Sequence, residues 1–297
     1  MKKGAKIWLG LILGLAFIVA LTGWYLHRHT VAVLQPVGQI GRKERNLIAF
    51  CAALSILVMV PVFTMLGVFA WKYRESNVRA KYSPELEGSN LAETIWWLIP
   101  TALISIVAVI TWRSSYAMDP FKHIDTSKPT LHVQVVALDW KWLFIYPDQH
   151  IASVNEVAVP VGMPVDFELT SDTVMTSFWA PQLGGQMYAM PGMNTHLNLE
   201  ASKTGSYRGV AANISGKGFA GMDFMVKAVN GSDFTKWLQT AKRSASKLTA
   251  NSYAVLARPT ENVRPSYYGT VDSGLYDTIV MNYMMPMGTQ TNTEGSV

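Results

Sequence analysis

Few residues in this chain are of a type and spacing that does chemistry unaided. The donors a redox metal needs are soft thiolates and imidazoles, and the chain offers a single cysteine, Cys51, and six histidines. Cys51 sits inside a long apolar run, so neither a disulfide framework nor a zinc spacing forms within one chain. His27 and His29 are the only close pair of imidazoles, flanking Arg28 just after an apolar run, which suits an interfacial or solvated position. The glycine-rich stretch Gly209–Met222 closes on a thioether, Met222, with no thiolate or imidazole inside it. A lone thioether is a very weak ligand, and its ordinary use is as a flexible core filler. Met281, Met284, Met285 and Met287 make a second soft group, read as packing against a partner. One carboxylate stands apart. Glu93 opens an apolar run, where an ionisable group exchanges protons with water.

The elements that must position these residues fall into two kinds. Hydrophobic residues make up 49% of the sequence and charged ones 15%, and the net charge is only +5. Its basic residues are spread over loops without an aromatic-interleaved patch, which excludes a nucleic-acid surface. Three uncharged runs, 7–26, 46–71 and 94–112, are long enough to span hydrocarbon. The first follows Lys2, Lys3 and Lys6, the layout of a signal peptide; its length and the lack of a small-x-small cleavage site favour an uncleaved anchor. The second contains Pro61 and ends at the interfacial aromatics Trp71 and Tyr73. With the N-terminus inside, parity leaves everything after Arg113 on the outer side.

Beyond Arg113 the period changes. Leu131, Val133 and Val135 alternate, as do Val157, Val159 and Val161, then Val165, Phe167 and Leu169, then Leu197 with Leu199, and Met222, Phe224 and Val226. Period-two runs broken by Pro and Gly turns predict an antiparallel β-sandwich over 130–229. After it, Ser232 or Asp233 is placed to cap a helix. Phe234, Trp237, Leu238 and Ala241 then form one helical face, and Leu275, Ile279 and Tyr283 a second. The tail from Gly288 is polar and expected to be disordered.

Several motifs together carry a family resemblance over roughly Pro36 to the C-terminus. Against the frame G-x-C-x-E-x-C-x-x-x-H-x-x-M, the stretch Gly209–Met222 has the right length and the closing Met222. The thiolate positions hold Ala211 and Ser215, Asn213 takes the place of the Glu, and Phe219 stands where the imidazole belongs. Upstream, the run from Val174 to Pro181 reads as V-M-H-S-F-W-x-P with Thr176 in place of the His. The chain thus resembles cytochrome c oxidase subunit II with the ligands of its binuclear copper removed. It is closer still to the copper-free subunit II of bo-type ubiquinol oxidases, where runs such as Asp139-Trp-Lys-Trp142 and Tyr188-Ala-Met190 recur.

The resemblance implies a membrane-anchored all-β protein. N-terminal transmembrane helices, a helical hairpin plus the signal or anchor segment, precede a cupredoxin-like Greek-key β-sandwich and C-terminal helices. The expected domains are 1–26 (signal peptide or anchor), 46–114 (transmembrane hairpin), 130–229 (periplasmic sandwich), 232–287 (helical extension) and 288–297 (tail). Relatives often begin as lipoproteins cut before a lipidated Cys; here Leu21-Thr-Gly-Trp24 puts Trp24 at that position, which closes that route. The implied function is a non-catalytic subunit of a proton-pumping ubiquinol oxidase in a bacterial inner membrane. No cofactor is expected in this chain. Haems and copper are expected in a partner subunit I, with subunits III and IV, lipid and ubiquinol as further partners.

By the same resemblance Glu93, with Trp97 and Pro100, falls on an E-x-x-x-W-x-x-P pattern at the cytoplasmic mouth of the lysine-type proton pathway. Trp140 and Trp142 are expected to pack against the partner subunit. Two other classes stay open at this point: a cupredoxin-type electron carrier with a mononuclear copper held by Met and scattered His, and a non-redox structural envelope protein.

Overall fold

The computed structural model describes residues 14, 17–18, 20–26, 28–29, 31–78, 88–124 and 128–284. The readings of 1–26 as signal or anchor therefore lie largely outside the described residues, although 20–26 are helical. Met285, Met287 and the 288–297 tail lie wholly outside them. The chain divides into two compact units, Lys43–Lys122 and the remainder.

The first helices are α1 (Gln39–Lys72) and α2 (Asn90–Ala117). At 34 and 28 residues they run about 51 and 42 Å at the α-helical rise, more than a hydrocarbon core of about 30 Å requires. Both exceed the apolar runs 46–71 and 94–112 because polar residues extend them: Gln39–Arg45 add turns to α1, and Ser89 caps α2 by accepting from the Ala92 amide at 3.4 Å. Each helix contains a proline, Pro61 or Pro100. The hydroxyls along the helices bond to the carbonyl four residues back. Ser55 reaches Cys51 at 2.8 Å, Thr64 reaches Val60 at 2.6 Å and Thr101 reaches Trp97 at 2.7 Å. Hydroxyls satisfied in this way are tolerated in an apolar medium.

The other unit is built on strands β1 (Leu131–Leu138), β2 (Lys141–Tyr146), β3 (Ile151–Val154), β4 (Glu156–Pro160), β5 (Pro164–Ser171), β6 (Thr176–Trp179), β7 (Gln186–Ala189), β8 (Thr195–Glu200), β9 (Gly205–Ala211) and β10 (Asp223–Val229). They are followed by α3 (Gly231–Lys242), β11 (Lys247–Leu248), α4 (Ala250–Leu256), β12 (Ser266–Tyr268), β13 (Thr270–Val271) and α5 (Leu275–Asn282). One sheet has the order β12-β3-β2-β1-β5-β8 and the other β4-β10-β9-β6-β7. The five alternating runs predicted from sequence fall on β1, β4, β5, β8 and β10, and their apolar residues form the core between the sheets.

The sandwich is cupredoxin-like, with one correction to the antiparallel expectation. β1 pairs β5 in parallel and β4 pairs β10 in parallel. Alternation reports which face is buried and is silent on strand direction. Two further corrections concern the extension. It is not purely helical, because β12 adds a sixth strand beside β3. And the cap of α3 is Asn230, so that Ser232 and Asp233 lie in the first turn, where Asp233 meets the helix dipole and pairs with Lys236 at 2.9 Å.

The extension also explains strands that show no period. β2 and β3 are buried on both faces. Their inner residues face the second sheet, while Leu143, Ile145, Ala152 and Val154 are covered by Leu248, Tyr253, Leu275, Tyr276, Ile279 and Val280. A strand covered twice reads as a continuous apolar run.

Buried polar side chains fasten the extension to the sandwich. Glu156, 4% exposed on β4, accepts from Trp237 Nε1 at 3.0 Å and from the Tyr267 hydroxyl, and pairs with Lys227 at 2.7 Å. Burial by itself would raise its pKa, but the hydrogen bonds from Lys227, Tyr267 and Trp237 outweigh burial and hold it below the usual carboxylate range. Burial and the Glu156 hydrogen bond push Tyr267 up to about 12.

A carboxylate with a depressed folded pKa contributes stability that is fully present above its unfolded value of about 4.3 and is lost as pH falls through the folded value. Glu156→Gln is expected to lower the unfolding free energy at neutral pH by about 2 kcal/mol. It should also flatten the loss of stability below about pH 4. Denaturant melts of both proteins at pH 7 and across the acid limb check this, and an unchanged acid limb in the variant would count against it.

Candidate functional site

The turn between β9 and β10 holds most of the positions that the resemblance matched to copper ligands, and β6 holds the remaining one, Thr176. β6 pairs β9 with Phe178 opposite Ala211, and the Ala212 amide donates to Ser177 O at 3.0 Å. Thr176, at the start of β6, is thereby brought to the same end of the sheet as Ala211. The loop closes on itself where the Ala211 amide donates to Met222 O at 3.1 Å. Thr176, Ala211 and Met222 are 1%, 5% and 3% exposed. Phe219 opens a short 3-10 turn and packs against the same core.

The donor set does not suit copper. Of the six positions, Ala211 and Phe219 carry no donor atom, Thr176 and Ser215 carry hard hydroxyls, and Asn213 has a hard amide. Only Met222 is soft, and thioethers alone do not hold a thiolate-type centre. The loop is held by other contacts. Ser177 Oγ donates to Asn213 Oδ1 at 2.7 Å, and Trp140 Nε1 donates to Ser215 O at 3.0 Å. The hydroxyl oxygens of Thr176 and Ser215 are buried without a hydrogen-bond partner among the described residues.

Trp140 and Trp142 have different fates, though two residues apart. Asp139 and Trp140 form the two-residue turn of the β1–β2 hairpin, Leu138 pairing with Lys141. Trp140 takes a left-handed backbone, φ 62°, a cost of about 1–3 kcal/mol for a non-glycine residue. Its indole then lies on the loop, and a Cβ on Gly218 would fall 2.4 Å from Trp140 Cδ2. The half-buried ring and its hydrogen bond recover a cost of that size. Trp142 corrects an expectation. It is 0% exposed and lies between the sheets, edge-on to Phe178 at 5.4 Å and Phe224 at 5.6 Å. A side chain enclosed there is unavailable to a partner subunit.

Sequence reasoning passed over Lys141 between these two tryptophans. It is 1% exposed, and its ammonium donates to Arg258 O at 2.8 Å and Thr260 Oγ1 at 2.7 Å. Burial pushes its pKa down, opposed by the charge of Asp139. A lysine beside a turn reads as solvent-exposed, and its two shortest bonds go to acceptors more than a hundred residues away in the chain, so no local signal marks it.

Glu93 belongs to the other unit. It is in the first turn of α2, its amide donating to Ser89 O at 2.8 Å, and its side chain is exposed. It lines a shallow groove with Asn90, Thr94, Trp97, Leu98 and Thr101, which follow at the spacing of one helix face.

Comparison with known proteins matches both the sandwich and its extension. The family described as cytochrome c oxidase subunit II, periplasmic domain, matches residues 112–229, and the cytochrome oxidase aromatic-rich motif matches 242–287. The chain is 44% identical to cytochrome bo(3) ubiquinol oxidase subunit 2 of Pseudomonas aeruginosa over 253 residues, covering 85% of this chain and 76% of that one. It is 45% identical to ubiquinol oxidase subunit 2 of Acetobacter aceti over 253 residues, covering 84% and 82%. Among solved structures, the periplasmic domain of subunit II of cytochrome oxidase of Bradyrhizobium japonicum is 28% identical with a TM-score of 0.37, covering 38% of this chain and 94% of that one. With 44% and 45% identity to the two subunit 2 relatives over most of each sequence, the chain belongs to the ubiquinol oxidase subunit 2 family.

Proposed function

We propose that this chain is subunit II of a proton-pumping quinol oxidase of a bacterial inner membrane, and that it carries no redox centre of its own. The assembly would convert ubiquinol and dioxygen to ubiquinone and water while moving protons. Haem, copper and the quinol site would lie in subunit I, with subunits III and IV and lipid as further neighbours. α1 and α2 would clamp subunit I, and the sandwich would cap its outer face. Family membership supports this reading, and the observation that carries it is the donor set of the β9–β10 loop.

The chemistry of the donor explains why such a loop is dispensable as a redox site. Cytochrome c is soluble and delivers electrons at the outer surface, so an oxidase using it needs an exposed acceptor there. Quinol is lipid-soluble and reaches a membrane-embedded haem from within the bilayer. An outer copper then has no task, while the fold keeps its packing role.

Glu93 is assigned the proton entrance. Its exposure at the start of a long apolar helix, beside polar Asn90 and Thr94, supports this reading. Glu93→Gln is expected to leave assembly intact and to slow haem reduction and turnover, because the group that takes up the proton is lost. Stopped-flow reduction of the purified complex measures it, and wild-type kinetics in the variant would reduce Glu93 to interfacial solvation.

The loop itself can be tested by refilling it. Thr176→His, Ala211→Cys, Ser215→Cys and Phe219→His, with Met222 and the Asn213 carbonyl already in place, should let the outer domain bind two coppers with the visible absorption of a thiolate-bridged pair. Replacing the packed Phe219 costs about 2–4 kcal/mol, which metal binding offsets. A quadruple variant that keeps its far-UV signal and takes up no copper would show that Ala211 and Ser215 are misaligned with the thiolate positions.

A further inference from the structure

The β9–β10 loop lacks metal ligands, and a segment far along the chain lies against its outer end. Residues 258–264, between α4 and β12, cross from the β1–β2 hairpin tip to the β3–β4 turn. Three anchors fix this path. Lys141 holds Arg258 O and Thr260 Oγ1 at 2.8 and 2.7 Å, and Asn155 Nδ2 donates to Val263 O at 2.8 Å. The anchoring side chains are themselves immobile. Lys141 and Asn155 are 1% and 6% exposed, and Asn155 Oδ1 also accepts from the Trp142 amide at 2.8 Å.

Between the anchors the segment touches the loop. Glu261 pairs with Lys217 at 3.4 Å. Asn262, in the left-handed region at φ 54°, sets its amide against Gly221 so closely that a Cβ there would fall 2.5 Å from Asn262 Oδ1. A second point of the same turn, Gly218, is covered by Trp140. The turn from Gly216 to Met222 is thus gripped at two points by side chains that it did not itself supply. Within the turn the backbone bonds among the described residues are Phe219 N to Gly216 O at 3.3 Å, Gly221 N to Gly218 O at 3.1 Å and Met222 N to Phe219 O at 3.0 Å, and at its end Met222 O accepts from the Ala211 amide at 3.1 Å.

We propose that residues 258–264 act as a strap that holds the 216–222 turn in shape, the task that metal ligation performs where a copper centre is present. A turn whose internal bonds are all short-range opens readily, and loops of this kind sit at the low end of local stability. A contact made only in the closed turn removes that opening in proportion to its strength. The Glu261–Lys217 pair is exposed and contributes little, so Asn262 against Gly221 is the main grip and the buried Lys141 and Asn155 are what keep it aimed.

Hydrogen exchange of the full chain in detergent, followed by mass spectrometry, tests the strap without reference to quinol chemistry. In Glu261→Ala/Asn262→Ala, which touches neither buried anchor, the amides of Phe219, Gly221 and Met222 should exchange on the order of tenfold faster. The amides of β1, β5 and β8 should keep their rates. Lys141→Met, which frees the strap at its base, should speed the same three amides together with residues 258–264. Loop amides within twofold of the wild-type rate in the double variant would overturn the proposal. So would a Lys141→Met chain whose strap exchanges faster while the turn does not. If Lys141→Met fails to fold, the double variant alone decides.

Discussion

The contact of Trp142 with Phe178 and Phe224 is the interaction on which the outer domain depends. Trp142 comes from one sheet and the two phenylalanines from the other, with Phe178 and Phe224 stacked at 4.7 Å and 16° and the indole edge-on to both. Each such pair is worth about 0.5–1.5 kcal/mol beyond the area it buries. The position matters as much as the energy. Phe178 lies two residues beyond Thr176, and Phe224 two beyond Met222, so the cluster lies beside the start of β6 and the end of the β9–β10 loop. Strand pairing and an aromatic floor bring those positions together without any metal.

From that floor the rest follows outward. The hairpin that delivers Trp142 to the core delivers Trp140 to the loop and Lys141 to the extension, three consecutive residues with three directions. The extension in turn covers the outer face of β2 and β3 and satisfies Glu156 through Trp237 and Tyr267. The sandwich and its extension are therefore one folding unit in energetic terms: Glu156 and Lys141 are buried polar groups whose partners lie beyond residue 229. A boundary drawn at Val229 marks a change of secondary structure and not a break in packing.

Much of this was legible in the sequence, for identifiable reasons. Strands with one polar face, such as β1 and β5, announce themselves by alternation, and the two long apolar helices by uncharged length. The loop from Gly209 to Met222 drew attention because its spacing matches a motif whose ligand residue types it does not carry. What stayed hidden was set by distant partners. β2 has no period because the extension covers its second face; Trp142 looked available because nothing in Asp-Trp-Lys-Trp tells which tryptophan turns inward. Lys141 and Glu156 read as surface charges, and their burial depends on residues more than seventy positions away. Parallel pairing of β1 with β5 leaves no trace in composition at all.

The central claim is that protein contacts, and not a metal, hold this domain and its β9–β10 loop in their native shape. Its most direct test is the thermal unfolding of the purified chain with a strong chelator, with no addition, and with excess copper in both oxidation states. A ligand that binds the folded form raises its stability by RT ln(1 + [L]/Kd), about 2.7 kcal/mol at a hundredfold excess over Kd. The account predicts the same midpoint in all of these conditions. A midpoint that falls with chelator, or rises with copper by the several degrees such binding brings, would contradict it.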